Sequence, residues 1–171
     1  MTSTYTLNDV DIESVAALTS ACAEDAENAA TVWKAEVHWA GGFRTETRIR
    51  EFAPFASDEP SALGGTDTAP NPVEQLLAAL GNCLAVGVAA NATGRGIAIE
   101  RLSIALEGDL DLSTFLGLAA GHAGFESIRV RIDLDTDAEP EAVEELIRHV
   151  TDTSPVGHTL TREVPVTVVS G

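Results

Sequence analysis

Apolar residues fall into several distinct rhythms along the chain, and the strongest lies in Pro70–Asn91. Between Leu76 and Ala90 only Asn82 carries a strongly polar side chain. A helix on a protein surface shows a polar stripe every three to four residues. Its absence predicts a helix enclosed by protein on nearly all sides. Asn71 and Pro72 suit its start, because asparagine caps and proline fits the first helical position, where an N–H has no partner. Gly81 and Gly87 lie inside the run, where glycine costs about 0.5–1 kcal/mol relative to alanine. They predict another backbone packed closely against this helix.

The remaining segments read as shorter elements around it. Asp9–Ala30 predicts a helical appendage. Thr31–Trp39 and Phe43–Phe52 read as a hairpin turned at Ala40-Gly41-Gly42, with period-two alternation placing Trp33 and Trp39 on one face. Ala53–Ala69 is a loop rich in Pro, Ser, Asp and Gly. Ile97–Leu106 reads as a strand whose alternation slips at Glu100–Arg101, predicting a bulge there. Glu107–Gly124 is irregular. In Phe125–Asp135, Ile128, Val130, Ile132 and Leu134 alternate with polar residues as in a strand. Pro140–Val150 is amphipathic, with Ala142, Val143, Leu146, Ile147 and Val150 on one face, and Thr153-Ser154-Pro155 ends it. Glu163–Val169 is expected as the last strand. The order α–ββ–α–ββ–α–β predicts an α+β fold, an antiparallel sheet with a long buried helix. Its divisions are residues 1–30 as the appendage and 31–171 as the main domain.

Composition narrows the partners. The 171 residues carry 27 acidic and 10 basic side chains, a net charge of −17. Such a field repels nucleic acid and anionic membrane surfaces, so neither is an expected partner. The apolar run Leu76–Ala90 is shorter than the roughly 20 residues that span a bilayer. The N-terminus has neither a basic start nor an apolar run, so no secretory signal is visible and a cytoplasmic protein is expected. Cys22 and Cys83 alone do not make a disulfide framework.

Cys83, in the middle of the long helix, is the candidate for chemistry. The nucleophile is the thiolate, and free cysteine has a pKa near ~8.5, which burial and a negative field both raise. Cys83 lies roughly 18 Å along the helix from Asn71 at about 1.5 Å per residue, beyond useful reach of the helix dipole. A reactive Cys83 therefore needs a cation, and Arg44, Arg48 and Arg50 of the hairpin are the richest source. Leu76, Ala79, Leu80, Val86, Gly87 and Ala90 share its side of the helix. Those surroundings suit a thiol that meets an apolar substrate and equally a thiol that packs; packing is the plainer reading. Cys22 reads as a small apolar filler or a surface residue. His38, His122, His149 and His158 are dispersed without metal-ligand spacing. No phosphate loop, serine-nucleophile elbow or C-x-x-C motif occurs, so no metal or cofactor is expected.

NPVEQLLAALGNCLAVG, together with GIAIERLSIALEGDLDL, FESIRVRIDLDTDA and SPVGHTL, resembles the OsmC/Ohr family over roughly Val32 to Val169. The resemblance implies an interwoven homodimer with both long helices central. It implies a peroxiredoxin-like organic hydroperoxide reductase serving oxidative stress defence. In that family the helix cysteine becomes a sulfenic acid, then a disulfide with a second cysteine, which a dithiol such as a lipoylated protein reduces. Matching positions make Cys83 the peroxidatic thiol, Glu74 the acidic partner and Arg44 the cation. Two departures stand out. Ser154 occupies the second cysteine's position, so turnover requires Cys22 or an external thiol. Glu74 precedes Cys83 by nine residues rather than the typical ten, which turns it to the opposite side of an ideal helix. Two other functions fit the scaffold: binding a small apolar ligand without catalysis, and a hot-dog-like thioesterase with Glu74 activating water.

Overall fold

The computed structural model describes residues 6–171, which divide into two compact units. One comprises Glu13–Leu76; the other joins Leu77–Gly171 to the segment ending at Ile12.

In the first unit, helix α1 (Ile12–Glu24) leads to strands β1 (Glu36–Trp39), β2 (Thr45–Arg48) and β3 (Phe55–Ser57), an antiparallel sheet in that order. The predicted hairpin is present with both strands shorter than expected. Gly41 and Gly42 both adopt positive φ at its turn, the region that glycine enters without penalty. Strand β3 lies where the residue pattern predicts a loop, because three residues between Pro54 and Asp58 are too few to show an alternation.

The loop after β3 is organised by Asp58. Its buried carboxylate accepts the Thr66 hydroxyl at 2.6 Å, the Thr68 hydroxyl at 2.9 Å, and the amides of Glu59, Thr66 and Thr68. The Thr66 hydroxyl above all, with the Thr68 amide and hydroxyl, holds this carboxyl far below the usual carboxylate range. Gly65 is required there, since a Cβ would sit 1.8 Å from the Glu59 carbonyl oxygen. The Ser57 hydroxyl donates to the Pro70 carbonyl at 3.0 Å and sets the entry to the long helix.

Helix α2 runs Pro72–Gly94. Its start is a reciprocal capping box: the Glu74 amide donates to Asn71 Oδ1 at 2.9 Å, and the Asn71 amide to Glu74 Oε2 at 2.8 Å. Beyond Leu76 it belongs to the second unit. There Leu80, Leu84, Val88 and Ala92, one residue in four, form a buried row. That row meets Leu146 and Val150 of helix α3 (Pro140–Thr153). Around it pack Leu102, Ile104 and Leu106 of strand β4 (Arg101–Leu110) and Ile128 and Leu134 of strand β5 (Phe125–Asp135).

The opposite face is bare in the single chain. Asn82 is exposed and Val86 is 69% exposed, so the expected enclosure on nearly all sides is not met by this chain alone. The close approaches at the glycines come from side chains rather than a backbone: a Cβ at Gly81 would lie 2.8 Å from Leu106 Cδ1, and one at Gly87 2.8 Å from Val150 Cγ1. The helix also outruns its apolar core. With 23 residues and mean hydropathy 1.6 it is long and apolar enough to cross a bilayer by length and composition, although a third of that window is buried within the protein.

Strands β4 and β5 pair antiparallel. Leu102↔Leu134, Ile104↔Ile132 and Leu106↔Val130 share one face, while Ala105↔Arg131 and Glu107↔Arg129 share the other. The expected strand 97–106 is shifted along the chain because the segment before it is anchored differently. Asn8, at φ 55, donates to the Thr93 hydroxyl at 3.0 Å and the Ile97 carbonyl at 2.9 Å, and accepts the Ile99 amide at 2.8 Å. The irregularity in register falls at Asp109/Leu110, not at Glu100–Arg101.

Two further expectations are corrected. Pro155 starts a helix, α4 (Pro155–Thr161), instead of simply ending α3; Ser154 caps it by accepting the Gly157 amide at 3.0 Å. Glu163–Val169 forms no strand: a strand needs a paired neighbour, and Val164, Val166, Val168 and Val169 stay 52–89% exposed.

Leu146 is fully buried at the centre of this core. Leu146→Ala is expected to cost about 2–5 kcal/mol, read as a lowered urea midpoint. A second outcome concerns acid. Hydrogen bonds from Arg129 first, then Ser127, lower the Asp109 carboxyl to about 2. A depressed carboxyl contributes stability that is present above its unfolded value of roughly 3.9 and lost as pH falls through the folded value. Asp109→Asn should therefore flatten the fall in thermal midpoint between about pH 4 and pH 2.

Candidate functional site around Cys83

Cys83 is half-buried in the middle of α2, on the second unit, and is a free thiol. Leu80 and Leu84 beside it belong to the buried row, while Asn82 and Val86 face outward. The sulfur thus lies at the border between core and bare face. Its partner is Ser154, 71 residues away in sequence, with Sγ and Oγ 3.2 Å apart. Ser154 is 4% exposed, and its hydroxyl is held from behind by the Gly157 amide. The structure therefore sets an alcohol, Ser154, against the helix thiol.

A cavity of about 610 Å³ adjoins this pair. Leu80 and Leu84 of α2, Ile128, Val130 and Ile132 of β5, and Leu160 of α4 make its wall mostly aliphatic. Ser154 lines it and Cys83 does not, so the serine joins the cavity wall to the sulfur. Nothing in the residue pattern points to this space, because α4, one of its walls, is not visible there.

The other expected site residues belong to the first unit. Among the three hairpin arginines, Arg48 is bound to Glu46, with Nε and Nη2 donating to Oε1 at 2.9 and 2.8 Å. Arg50 stacks over the Phe52 ring, 4.6 Å from its centroid. Arg44 is exposed, and among the described residues no carboxylate pairs with it. Glu74 braces the start of α2 through the capping box, one of its oxygens taken by the Asn71 amide. Cys22 is a half-buried free thiol on α1. No group of three or more His, Cys, Asp or Glu suited to a metal occurs among the described residues.

Both the sequence and the fold match those of known proteins. The family model of OsmC-like proteins matches residues 65–169. The chain belongs to the OsmC-like family. The match includes all of α2, Cys83 and Ser154. No curated protein matches the sequence.

Solved structures show the same fold. An OsmC-like protein from Mycoplasma pneumoniae superposes with a TM-score of 0.67 at 17% identity, over 77% of this chain and 88% of that one. An organic hydroperoxide resistance protein OsmC from Legionella pneumophila gives 0.56 at 20% identity, over 76% and 89%. The organic hydroperoxide resistance protein OhrB of Bacillus subtilis gives 0.50 at 20% identity, over 74% and 88%. The α+β class with antiparallel sheets and one long helix is thereby established for this OsmC-like chain.

The Sγ–Oγ contact of 3.2 Å generates a direct test. A thiol at position 154 needs only a small adjustment to reach the S–S length of about 2.05 Å. Ser154→Cys, treated with a mild oxidant, is expected to yield a disulfide between Cys83 and the introduced thiol in the non-reduced peptide map. A map showing both thiols free would refute the placement of the two side chains.

Proposed function

We propose that this OsmC-like protein reduces organic hydroperoxides with Cys83 as its one peroxidatic thiol and an external thiol as reductant. The observation that carries the reading is Cys83 at the border of the core, paired with Ser154 where a second cysteine would close the cycle. The Cys83 thiolate attacks the terminal peroxide oxygen, the O–O bond breaks, and the alkoxide takes a proton to leave as alcohol. A thiol then condenses with the sulfenic acid, releasing water and leaving a mixed disulfide. A second thiol, or the second arm of a dithiol, attacks that disulfide and returns Cys83 as a thiol.

Arg44 is the cation of the reading, supported by its lack of a carboxylate partner among the described residues, in contrast with Arg48, and by its freedom from the ring that holds Arg50. Glu74 remains the acidic partner in this proposal, with its second oxygen outside the capping box. A homodimer, in which a second copy covers the bare face of α2 and its exposed Val86, completes the site, and the protein works in the cytoplasm.

A second reading has its own support. The aliphatic cavity is lined by Ser154 and not by Cys83, which suits a protein that holds a small apolar ligand without consuming a thiol. The thioesterase alternative has no such observation in its favour, since Glu74 braces a helix start.

Stoichiometric cumene hydroperoxide is expected to add one oxygen to Cys83, reversed by dithiol, as read by peptide mass spectrometry. Cys83→Ser should abolish peroxide consumption, and Arg44→Ala should slow it by about 10²-fold or more, the scale of a lost charge-stabilising group. Oxidation confined to Cys22, or a copurified apolar ligand with Cys83 unreactive, would replace this reading with the binding one.

A further inference from the structure

The bond between Cys83 and Ser154 has a direction that depends on the charge of the sulfur. A serine hydroxyl has one proton to give and two lone pairs. Here one lone pair is taken by the Gly157 amide at 3.0 Å, and with 4% exposure the group has little water to turn to. Its proton is therefore free for Cys83 Sγ, 3.2 Å away. With a neutral thiol either atom can donate. A thiolate can only accept, so ionisation of Cys83 fixes the bond as Oγ–H to Sγ. The amide behind the hydroxyl polarises it further in the donating sense.

We infer that Ser154 is a positioning residue that holds the Cys83 side chain and favours its thiolate by donating a hydrogen bond to it. The inference rests on Cys83 being the reactive thiol, and it gives the serine an active part where the lack of a second sulfur alone would read as a loss. Hydrogen bonding to the charged form works against burial and the net negative field, both of which favour the neutral thiol. Charged groups do stand on the elements around the sulfur. Helix α2 has no ionisable residue besides Cys83 after Glu74, α4 has His158, the C-terminal half of α3 has Arg148, His149 and Asp152, and on β5 Glu126 lines the same cavity as Ser154. On β4, Glu107 and Asp109 are engaged by Arg129.

The test is the pH profile of Cys83 alkylation by iodoacetamide in the full-length protein, read peptide by peptide so that Cys22 does not contribute. Ser154→Ala should move the inflection to higher pH and slow the reaction at pH 7 about three- to tenfold, tenfold being one unit of pKa. Ser154→Thr, which keeps the hydroxyl, should restore the original profile. Superimposable profiles for the parent and Ser154→Ala would overturn the inference, as would a folded Ser154→Thr that behaves like the alanine variant. Should Ser154→Ala fail to fold by circular dichroism, Ser154→Gly, which removes the hydroxyl but leaves a residue tolerated at a helix cap, takes its place with the same expected and overturning results. Alkylation consumes no peroxide. A serine-dependent profile in a protein inert to hydroperoxide would keep this inference and reject the peroxidase.

Discussion

The fold of the second unit depends on a row of four side chains. Leu80, Leu84, Val88 and Ala92 recur every fourth residue along α2 and meet Leu146 and Val150 of α3, all of them at most 7% exposed. The row shrinks from leucine to alanine toward the C-terminal end, and the Thr93 hydroxyl beside it is met by Asn8. Gly81 and Gly87 remove the Cβ atoms that would collide with Leu106 and Val150. Their cost to helix propensity is offset by the contact that they permit. Because α3 is locked to α2 in this way, the turn that follows α3 is delivered against Cys83.

Much of this is legible in the chain. The apolar run marks α2, strict alternation marks β5, and the stripe from Ala142 to Val150 marks α3, since each repeats its own period over several turns or pleats. Short elements escape. Three residues of β3 carry no period, and α4 hides behind Pro155, a residue that ends helices as readily as it begins them. The run Glu163–Val169 shows the opposite failure. Its alternation is real, but a pattern of side chains does not supply the backbone partner that a strand requires.

The candidate site is legible as residue types and not as geometry. Cys83 stands out as the thiol within an apolar helix, and the OsmC-like resemblance singles out Ser154. No periodicity could foresee that these two side chains touch, or that the Gly157 amide holds the serine in place. The same holds for Glu74. A carboxylate three residues after Asn71 has the spacing of a capping box, and one of its oxygens serves there. A local hydrogen bond at a helix start and a catalytic acid share one residue type, so sequence alone does not separate them.

The Asp58 loop has a consequence for the unfolded chain. A carboxylate ringed by five donors exists only once Thr66 and Thr68 have folded back across it, closing a circuit of about ten residues. Such a short circuit forms at little entropic cost and needs no distant strand. It fixes the backbone up to Pro70, so the first residue of the long helix starts from a set position however the hydrophobic partners are arranged.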